Sequence, residues 1–144
     1  MNNTIGIWLD SSKFNSIVGN NITENNFFGV RLYSSSDNSL VGNNVAENKG
    51  PTKGHHYGIQ LYGSSSNMIR GNNITNNGAP WYGNGGITIE QSSNNTISAN
   101  NIAGNSGNDG INLWCGLPNY ISENNIRNNY NGVHLDGCKY QSVV

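Results

Sequence analysis

Charged residues, cysteines and long apolar segments are all scarce in this chain of 144 residues. Only 10% of the residues are charged, and seven Lys and Arg against eight Asp and Glu leave a net charge of −1. Because nucleic-acid binding needs a basic surface, this composition excludes DNA and RNA as expected partners. No apolar run approaches the length of a bilayer span, and the first residues lack the basic and then apolar pattern of a signal peptide. We therefore expect neither feature within this segment.

Helical periodicity is missing as well, because no stretch spaces its apolar residues about 3.6 positions apart. The abundant residues are asparagine, thirty in all, and glycine, with 19. Both are poor residues for strand interiors and common in turns, so their abundance indicates many corners. A chain rich in Asn, Gly, Ser and Tyr with few Lys also favours a location that is extracellular, at the cell surface or periplasmic.

A motif of glycine, an apolar residue, any residue and an aliphatic residue recurs six times. The copies are Gly6-Ile7-Trp8-Leu9, Gly29-Val30-Arg31-Leu32, Gly58-Ile59-Gln60-Leu61, Gly86-Ile87-Thr88-Ile89, Gly110-Ile111-Asn112-Leu113 and Gly132-Val133-His134-Leu135. Successive copies begin 22 to 29 residues apart. Internal repeats of this length indicate a solenoid, in which each unit buries its apolar face only against its neighbours.

The remainder of each repeat carries three amide columns. The first is Asn15, Asn38, Asn67, Asn95, Asn119 and Gln141; the second is Asn20, Asn43, Asn72, Asn100 and Asn124; the third is Asn25, Asn48, Asn77, Asn105 and Asn129. A short aliphatic-centred segment lies between successive columns. Each repeat therefore predicts three strands of about three residues, separated by three Asn-bearing corners.

These repeats predict an all-β parallel β-helix of about six coils. β-Branched residues dominate the apolar columns, and Ile7 and Leu9 alternate with Trp8 and Asp10 as in a strand with one buried face. Asparagine tolerates a left-handed backbone at corners, and stacked amides hydrogen-bond into ladders along a solenoid axis. We expect one domain over residues 1–144, with coils starting near residues 5, 28, 57, 85, 109 and 131.

The repeat resembles the right-handed parallel β-helix unit of NosD-like and other carbohydrate-associated surface proteins. The resemblance covers essentially the whole chain and implies a right-handed coil. Both termini fall inside the repeat without a cap, so two expectations stay open: a segment of a longer solenoid, or a protomer that associates end to end with further copies.

One face of the predicted solenoid has a mixed, aromatic exterior. Its two outward columns are Trp8, Arg31, Gln60, Thr88, Asn112 and His134, and Asp10, Tyr33, Tyr62, Glu90, Trp114 and Asp136. Two insertions, residues 49–57 and 78–85, precede strands of this face and add His55, His56, Trp81 and Tyr82. Aromatic rings among polar groups suit sugars, whose C–H faces stack while their hydroxyls take hydrogen bonds.

The first functional hypothesis is therefore a polysaccharide-binding module, with a glycan along this face. The predicted binding residues are Trp8, Tyr33, Gln60, Tyr62, Trp81, Tyr82, Asn112, Trp114, His134 and Asp136, with Arg31 and Glu90 as further polar contacts. The competing interpretation is a structural module, in which the aromatics stack along neighbouring strands without a ligand.

An enzyme is the third hypothesis, because β-helix lyases, epimerases and hydrolases use the equivalent face. Arg31 would neutralise a uronate carboxylate, His55 or His56 would act as base and Tyr62 as acid. Glu90 and Asp136 would be a hydrolase pair, but Trp114 stands between them. The clustered aspartates of β-helix polygalacturonases and the Asp-Pro-His element of mannuronan epimerases are both absent.

No cofactor and no metal site are expected. His134 is expected to lie about three coils from the adjacent pair His55 and His56, so no single metal site would contain all three of these soft ligands. Cys115 and Cys138 lie on neighbouring coils but one register step apart, so a disulfide and two unpaired turn residues remain alternatives.

Overall fold

The chain forms a parallel β-solenoid in the computed structural model. The structure describes residues 2–50, 54–79, 85–105, 109–114 and 116–144. Its regular elements are all strands, stacked in five complete coils and the first two strands of a sixth. The prediction of an all-β parallel solenoid with three strands per coil is therefore confirmed.

The strands of the first three coils are β1 (Ile5–Asp10), β2 (Ser16–Val18), β3 (Asn21–Thr23), β4 (Phe28–Tyr33), β5 (Ser39–Val41), β6 (Asn44–Ala46), β7 (Tyr57–Tyr62), β8 (Met68–Arg70) and β9 (Asn73–Thr75). Those of the last three are β10 (Ile87–Glu90), β11 (Thr96–Ser98), β12 (Asn101–Ala103), β13 (Ile111–Trp114), β14 (Tyr120–Ser122), β15 (Asn125–Arg127), β16 (Val133–Asp136) and β17 (Ser142–Val143).

Equivalent strands of successive coils pair in parallel and build three sheets. The first sheet has the order β1-β4-β7-β10-β13-β16, and the second and third sheets collect the middle and last strands of each coil. In the first sheet one aliphatic row runs in register through Leu9, Leu32, Leu61, Ile89, Leu113 and Leu135. Its members from Leu9 to Leu113 form one continuous core with the rows from the other two sheets, which confirms the apolar columns, whereas Leu135 on the sixth coil is 44% exposed.

Three amide ladders close the corners, as the Asn columns predict. Asn67, for example, donates its backbone N–H and its amide to Asn95 Oδ1, at 2.9 and 3.0 Å. The amide also donates to the Ser35 and Ser65 carbonyls of two successive corners. Gln141 takes the sixth place of this ladder, since its Oε1 accepts both the Asn119 N–H and the Asn119 amide. Each ladder thus pairs corner groups that would otherwise be buried without partners.

Two details of the repeat differ from expectation. The ladder residues do not take the left-handed backbone at any of the three corners; at the second and third corners the residue before each of them does, as at Gly19 and Glu24, with φ of 66° and 58°. That residue turns the chain, so that the next side chain points inward to the ladder. The first strands are also longer than three residues: β1, β4 and β7 each have six, because they begin before the motif glycine.

Across the described ranges no helix is long and apolar enough to cross a bilayer.

Candidate functional site

The outward surface of the first sheet, the first-strand face, carries three columns of side chains instead of the two predicted. The additional column precedes the motif glycine and includes Phe28, Tyr57, Asp109 and Asn131; Phe28 and Tyr57 are register partners. A Cβ built on Gly58 would point into the interior, 2.9 Å from Ile74, just as the side chain of Ile59 does. Alternation therefore breaks at the glycine, and the residue before it faces outward.

This break explains why the additional column was not predicted: the sequence indicated first strands of about three residues, and Tyr57 was counted in the insertion over residues 49–57. The signal was present, because aromatic residues precede the glycine in two successive repeats, as Phe28-Gly29 and Tyr57-Gly58.

The first-strand face contains a groove of about 550 Å³ that runs across coils two to five. It is lined by Phe28, Arg31, His55, Tyr57, Gln60, Tyr62, Thr88, Glu90, Asn112 and Trp114. Seven of these ten were predicted as site residues; Phe28 and Tyr57 come from the additional column, and Thr88 was placed on the face without a role.

The floor of the groove is polar, buried and unpaired. Gln60, Thr88 and Asn112 are only 6%, 3% and 5% exposed, although they point away from the core. Among the described side chains, the buried polar atoms without a hydrogen-bond partner are Arg31 Nε, Gln60 Oε1, Thr88 Oγ1 and Asn112 Oδ1. These four lie on four successive coils, in one register column. Leaving a buried polar group unpaired lowers the stability of a protein by about 1–3 kcal/mol. A ligand that forms hydrogen bonds with these four atoms would recover that cost as binding free energy.

Aromatic rings hold the guanidinium of Arg31 at one end of the groove. Its Cζ lies 5.8 Å from the ring centroid of Trp8, 5.1 Å from Phe28 and 5.4 Å from Tyr33. Within the described residues, the ion pairs are Lys49–Glu47 and His134–Asp109, so Arg31 has no carboxylate partner there. A cation ordered by cation–π contacts but lacking a counter-ion is suited to bind an anion.

The wall of the groove is made of stacked and exposed rings. Tyr33 and Tyr62 stack with centroids 5.4 Å apart and planes 3° apart. Trp114, two coils beyond Tyr62, is 50% exposed. Glu90 lies between them in register. It accepts a hydrogen bond from Gln60 Nε2 at 3.2 Å, which fixes the Gln60 amide and leaves its Oε1 among the unpaired atoms of the floor.

The two histidines of the first insertion have different positions. His55 lines the groove, and its Nδ1 lies 3.3 Å from the Tyr57 hydroxyl. His56 is fully buried, stacks on Phe27 with centroids 5.1 Å apart, and accepts the Gly50 N–H at Nδ1. Of the two histidines proposed as bases, only His55 therefore faces the groove.

The Tyr57 hydroxyl contacts His55, and its pKa is affected by both charged groups of the groove, Glu90 and Arg31. Burial raises the pKa of the Tyr57 phenol, the Glu90 carboxylate raises it further, and the Arg31 guanidinium opposes the change. The net direction is upward, so the phenol stays protonated well into the alkaline range and can donate a hydrogen bond.

This raised pKa makes stability fall in alkali. Because the folded-state pKa lies above the unfolded value of about 10, the contribution of Tyr57 is complete below that pH and is lost as pH rises through the folded-state value. Urea unfolding between neutral and alkaline pH should show this loss, and Tyr57→Phe should remove it. Tyr130→Phe, at an exposed tyrosine, is the control. A Tyr57→Phe protein that loses stability as steeply as the wild type would contradict the assignment.

The remaining predicted residues lie toward the two ends of the face. Trp8 and Asp10 are on the first coil, where Trp8 contacts Arg31. His134 and Asp136 are on the sixth coil, next to Asn112 and Trp114 in register. The carboxylate that orients His134 is Asp109, 2.9 Å from Nδ1, and Asn131 holds Asp109 in turn at 2.6 Å. No sequence pattern predicted Asp109 as a site residue. Trp81, Tyr82 and Cys115 lie outside the described residues.

Cys138 takes the place of a serine at the corner after the first strand. Ser35, Ser64 and Ser92 each hydrogen-bond through Oγ to the carbonyl two residues earlier. Cys138 is a free thiol and donates in the same way to Asp136, at 3.4 Å. The alternative in which Cys138 is an unpaired corner residue therefore agrees with its contacts.

Two protein-family models match the sequence. The model described as "Periplasmic copper-binding protein (NosD)" matches residues 1–84, and the model described as "Right handed beta helix region" matches residues 52–144. The chain belongs to the NosD family of right-handed β-helix proteins. Comparison with curated protein sequences gives no significant match.

Solved structures with the same fold include the periplasmic alginate epimerase AlgG, at 19% identity and a TM-score of 0.62, and its T265N mutant, at 18% identity and 0.62. Each alignment covers 97% of this chain and 36% of the epimerase chain. At this identity the similarity establishes the fold alone.

Copper, which the family description names, does not fit the residues that the structure describes. In these ranges no group of three His, Cys, Asp or Glu side chains could hold a metal ion. His56 already accepts the Gly50 N–H at Nδ1, and His134 is engaged with Asp109.

Proposed function

We propose that this NosD-family β-helix binds a polysaccharide outside the cytoplasm, with the glycan lying along the solenoid axis in the groove of the first-strand face. The row of unpaired polar atoms from Arg31 to Asn112 carries this proposal. Buried polar groups ordinarily have a hydrogen-bond partner, so four buried polar atoms without one in a single column indicate the place of a ligand. Coils repeat at about 4.8 Å, which matches a linear glycan with about one sugar per coil.

The aromatic walls supply the second part of such a site. Trp8, Tyr33, Tyr62 and Trp114 present ring faces on which sugar C–H groups can stack. Volume supports the same conclusion, since about 550 Å³ is within the range of small-molecule sites and accommodates a few sugars.

Chemistry at Arg31 favours a glycan with an acid group. The unpaired guanidinium would bind a uronate carboxylate, which satisfies both its charge and its buried Nε. Alginate, the polysaccharide in the name of the similar epimerases, belongs to this broad class. The epimerases and the NosD family model are both described as periplasmic, which favours an extracytoplasmic location for this chain.

A single substitution separates a binding groove from a merely structural surface. Thr88→Val keeps the shape of the floor but removes an unpaired buried hydroxyl. The free energy of unfolding should stay constant or rise by up to about 1 kcal/mol, because no protein hydrogen bond is lost. Glycan affinity should fall about tenfold, because a ligand hydrogen bond is lost.

The measurement is a titration of tryptophan fluorescence with a panel of neutral and acidic oligosaccharides, alongside urea unfolding. Thr75→Val, at a half-buried threonine on the third sheet, is the matched control and should leave affinity unchanged. Absence of any fluorescence shift across the panel, or equal affinity in wild type and Thr88→Val, would count against the proposal.

A second candidate, a lyase or epimerase acting on a uronate glycan, is favoured by the pair His55–Tyr57. The imidazole would act as base, and Tyr57, whose raised pKa keeps it protonated, would be the acid in place of Tyr62. Arg31 would bind the carboxylate whose adjacent proton is removed. Unsaturated-uronate absorbance during incubation with alginate or pectate would distinguish a lyase from a binding module.

A further inference from the structure

The first-strand face has an uneven charge distribution that restricts which acidic glycans it can accept. In the part of the chain that the structure describes, its three outward columns hold one permanent cation, Arg31, and four carboxylates: Asp10, Glu90, Asp109 and Asp136. The same face carries His134, whose Nδ1 lies 2.9 Å from the Asp109 carboxylate and is charged only when protonated. The whole chain has seven cations and eight carboxylates. Half of all the carboxylates therefore lie on the face with the groove, together with one of the seven cations.

Arg31 requires an acid group in the ligand. Its Nε is buried without an acceptor, and its Cζ lies 5.1 to 5.8 Å from the ring centroids of Trp8, Phe28 and Tyr33. A neutral glycan would cover this cation without neutralising it, and an unpaired buried charge is costly. One acid group at the second coil removes that cost.

Beyond Arg31, the groove favours uncharged donors. Gln60 Oε1 on the third coil, the Glu90 carboxylate on the fourth and Asn112 Oδ1 on the fifth are all acceptors, and the Thr88 hydroxyl on the fourth coil can donate as well as accept. Their natural partners are sugar hydroxyls, which donate. A carboxylate at these positions would offer no proton to the two amide oxygens, and it would lie beside the like charge of Glu90.

We infer that the groove selects an acidic heteropolysaccharide of low charge density, with one acid group bound at Arg31 and uncharged sugars over coils three to five. This inference rests on the proposed function and names the substrate class of the same groove. It separates this face from a polyuronate-binding surface, because a homopolymer of uronates would bring an acid group to every coil. With about one sugar per coil, the pattern corresponds to one uronate in each tetrasaccharide.

The test compares three kinds of oligosaccharide of equal length: homopolyuronates from alginate or polygalacturonate, neutral glucans, and fragments of a heteropolysaccharide with one glucuronate per tetrasaccharide repeat. At about 0.15 M salt, the heteropolysaccharide fragments should bind about tenfold more tightly than either of the others. Raising the salt should strengthen homopolyuronate binding, because it screens the repulsion by the face. A groove built for a polyanion would show the opposite salt dependence.

Two variants locate the effect. Glu90→Gln should increase homopolyuronate affinity about tenfold by removing the like charge on the fourth coil. Arg31→Gln should lower the affinity for the heteropolysaccharide to that for the neutral glucan. Glu123→Gln removes the same charge from an exposed corner residue and should change neither affinity.

The outcomes separate this inference from the function on which it rests. Tighter binding of homopolyuronates that weakens with salt would overturn the inference and leave polysaccharide binding intact. Equal affinity for neutral and acidic fragments would also overturn it. If none of the three oligosaccharides binds, both the inference and the proposed function fail.

Discussion

Replacing Gly58 with alanine should destabilise the solenoid by about 3–5 kcal/mol, because the added methyl group separates two coils that are hydrogen-bonded. A Cβ on Gly58 would lie 2.6 Å from the Gly86 carbonyl oxygen and 2.8 Å from Asn77 Nδ2. The same carbonyl accepts the Ile59 N–H at 2.9 Å. The methyl group therefore overlaps the backbone carbonyl of Gly86 and the side-chain amide of Asn77. That amide is fixed by hydrogen bonds to the Val45 carbonyl and to Asn105 Oδ1, so neither group can move away easily.

The control is Gly71→Ala, at a corner with φ of 64° and no heavy atom within 4 Å of the added Cβ. Only the left-handed backbone opposes this change, at a cost of about 1–2 kcal/mol. Urea unfolding followed by circular dichroism compares the two variants. If Gly58→Ala costs no more than Gly71→Ala, close approach of the coils is not the reason for glycine at this place.

The second large effect concerns two adjacent asparagines, of which one is buried and the other is not. Asn72 donates to Asn100 Oδ1 and to the Leu40 carbonyl, and it accepts from the backbone and amide of Asn43. Asn72→Ala removes the acceptor of the buried Asn43 N–H and one donor to the Leu40 carbonyl, and should cost about 3–5 kcal/mol. Asn73→Ala removes an exposed ladder place, between Asn44 and Asn101, and should cost less than about 1 kcal/mol.

The two variants share the residue type, the coil and the truncation. The difference between their losses of unfolding free energy therefore measures what burial adds to the stabilisation by a ladder asparagine. Denaturation midpoints of the two variants, each relative to the wild type, give the difference. Similar losses for Asn72→Ala and Asn73→Ala would mean that the buried corner ladders stabilise the solenoid no more than the exposed row Asn44, Asn73 and Asn101 does.

The fold was accessible from sequence because its stabilising contacts repeat. Leu9, Leu32 and Leu61 occupy the same place in three successive repeats, and a parallel in-register stack is the arrangement that buries all three. The ladder amides follow the same rule, even where Gln141 replaces Asn. Periodicity identifies such positions without any knowledge of the contacts between them.

The site was only partly accessible, because its contacts are made once. Nothing in the repeat distinguishes His55, which faces the groove, from His56, which stacks on Phe27 in the interior. Asp109 was overlooked because it precedes a motif glycine, where an outward direction depends on the local bend of the strand. Its contact with His134, 25 residues away, exists only once coils are stacked.

By itself, the sequence determined the parallel solenoid, its interior rows, its amide ladders and the face on which mixed aromatic and polar residues collect, because each of these is a property of every repeat. Tertiary structure alone decided that the outward residues Gln60, Thr88 and Asn112 are buried, and that their polar atoms and Arg31 Nε lack partners. Burial and pairing depend on what neighbouring coils and insertions place around a side chain. A residue's position in the repeat does not contain that information.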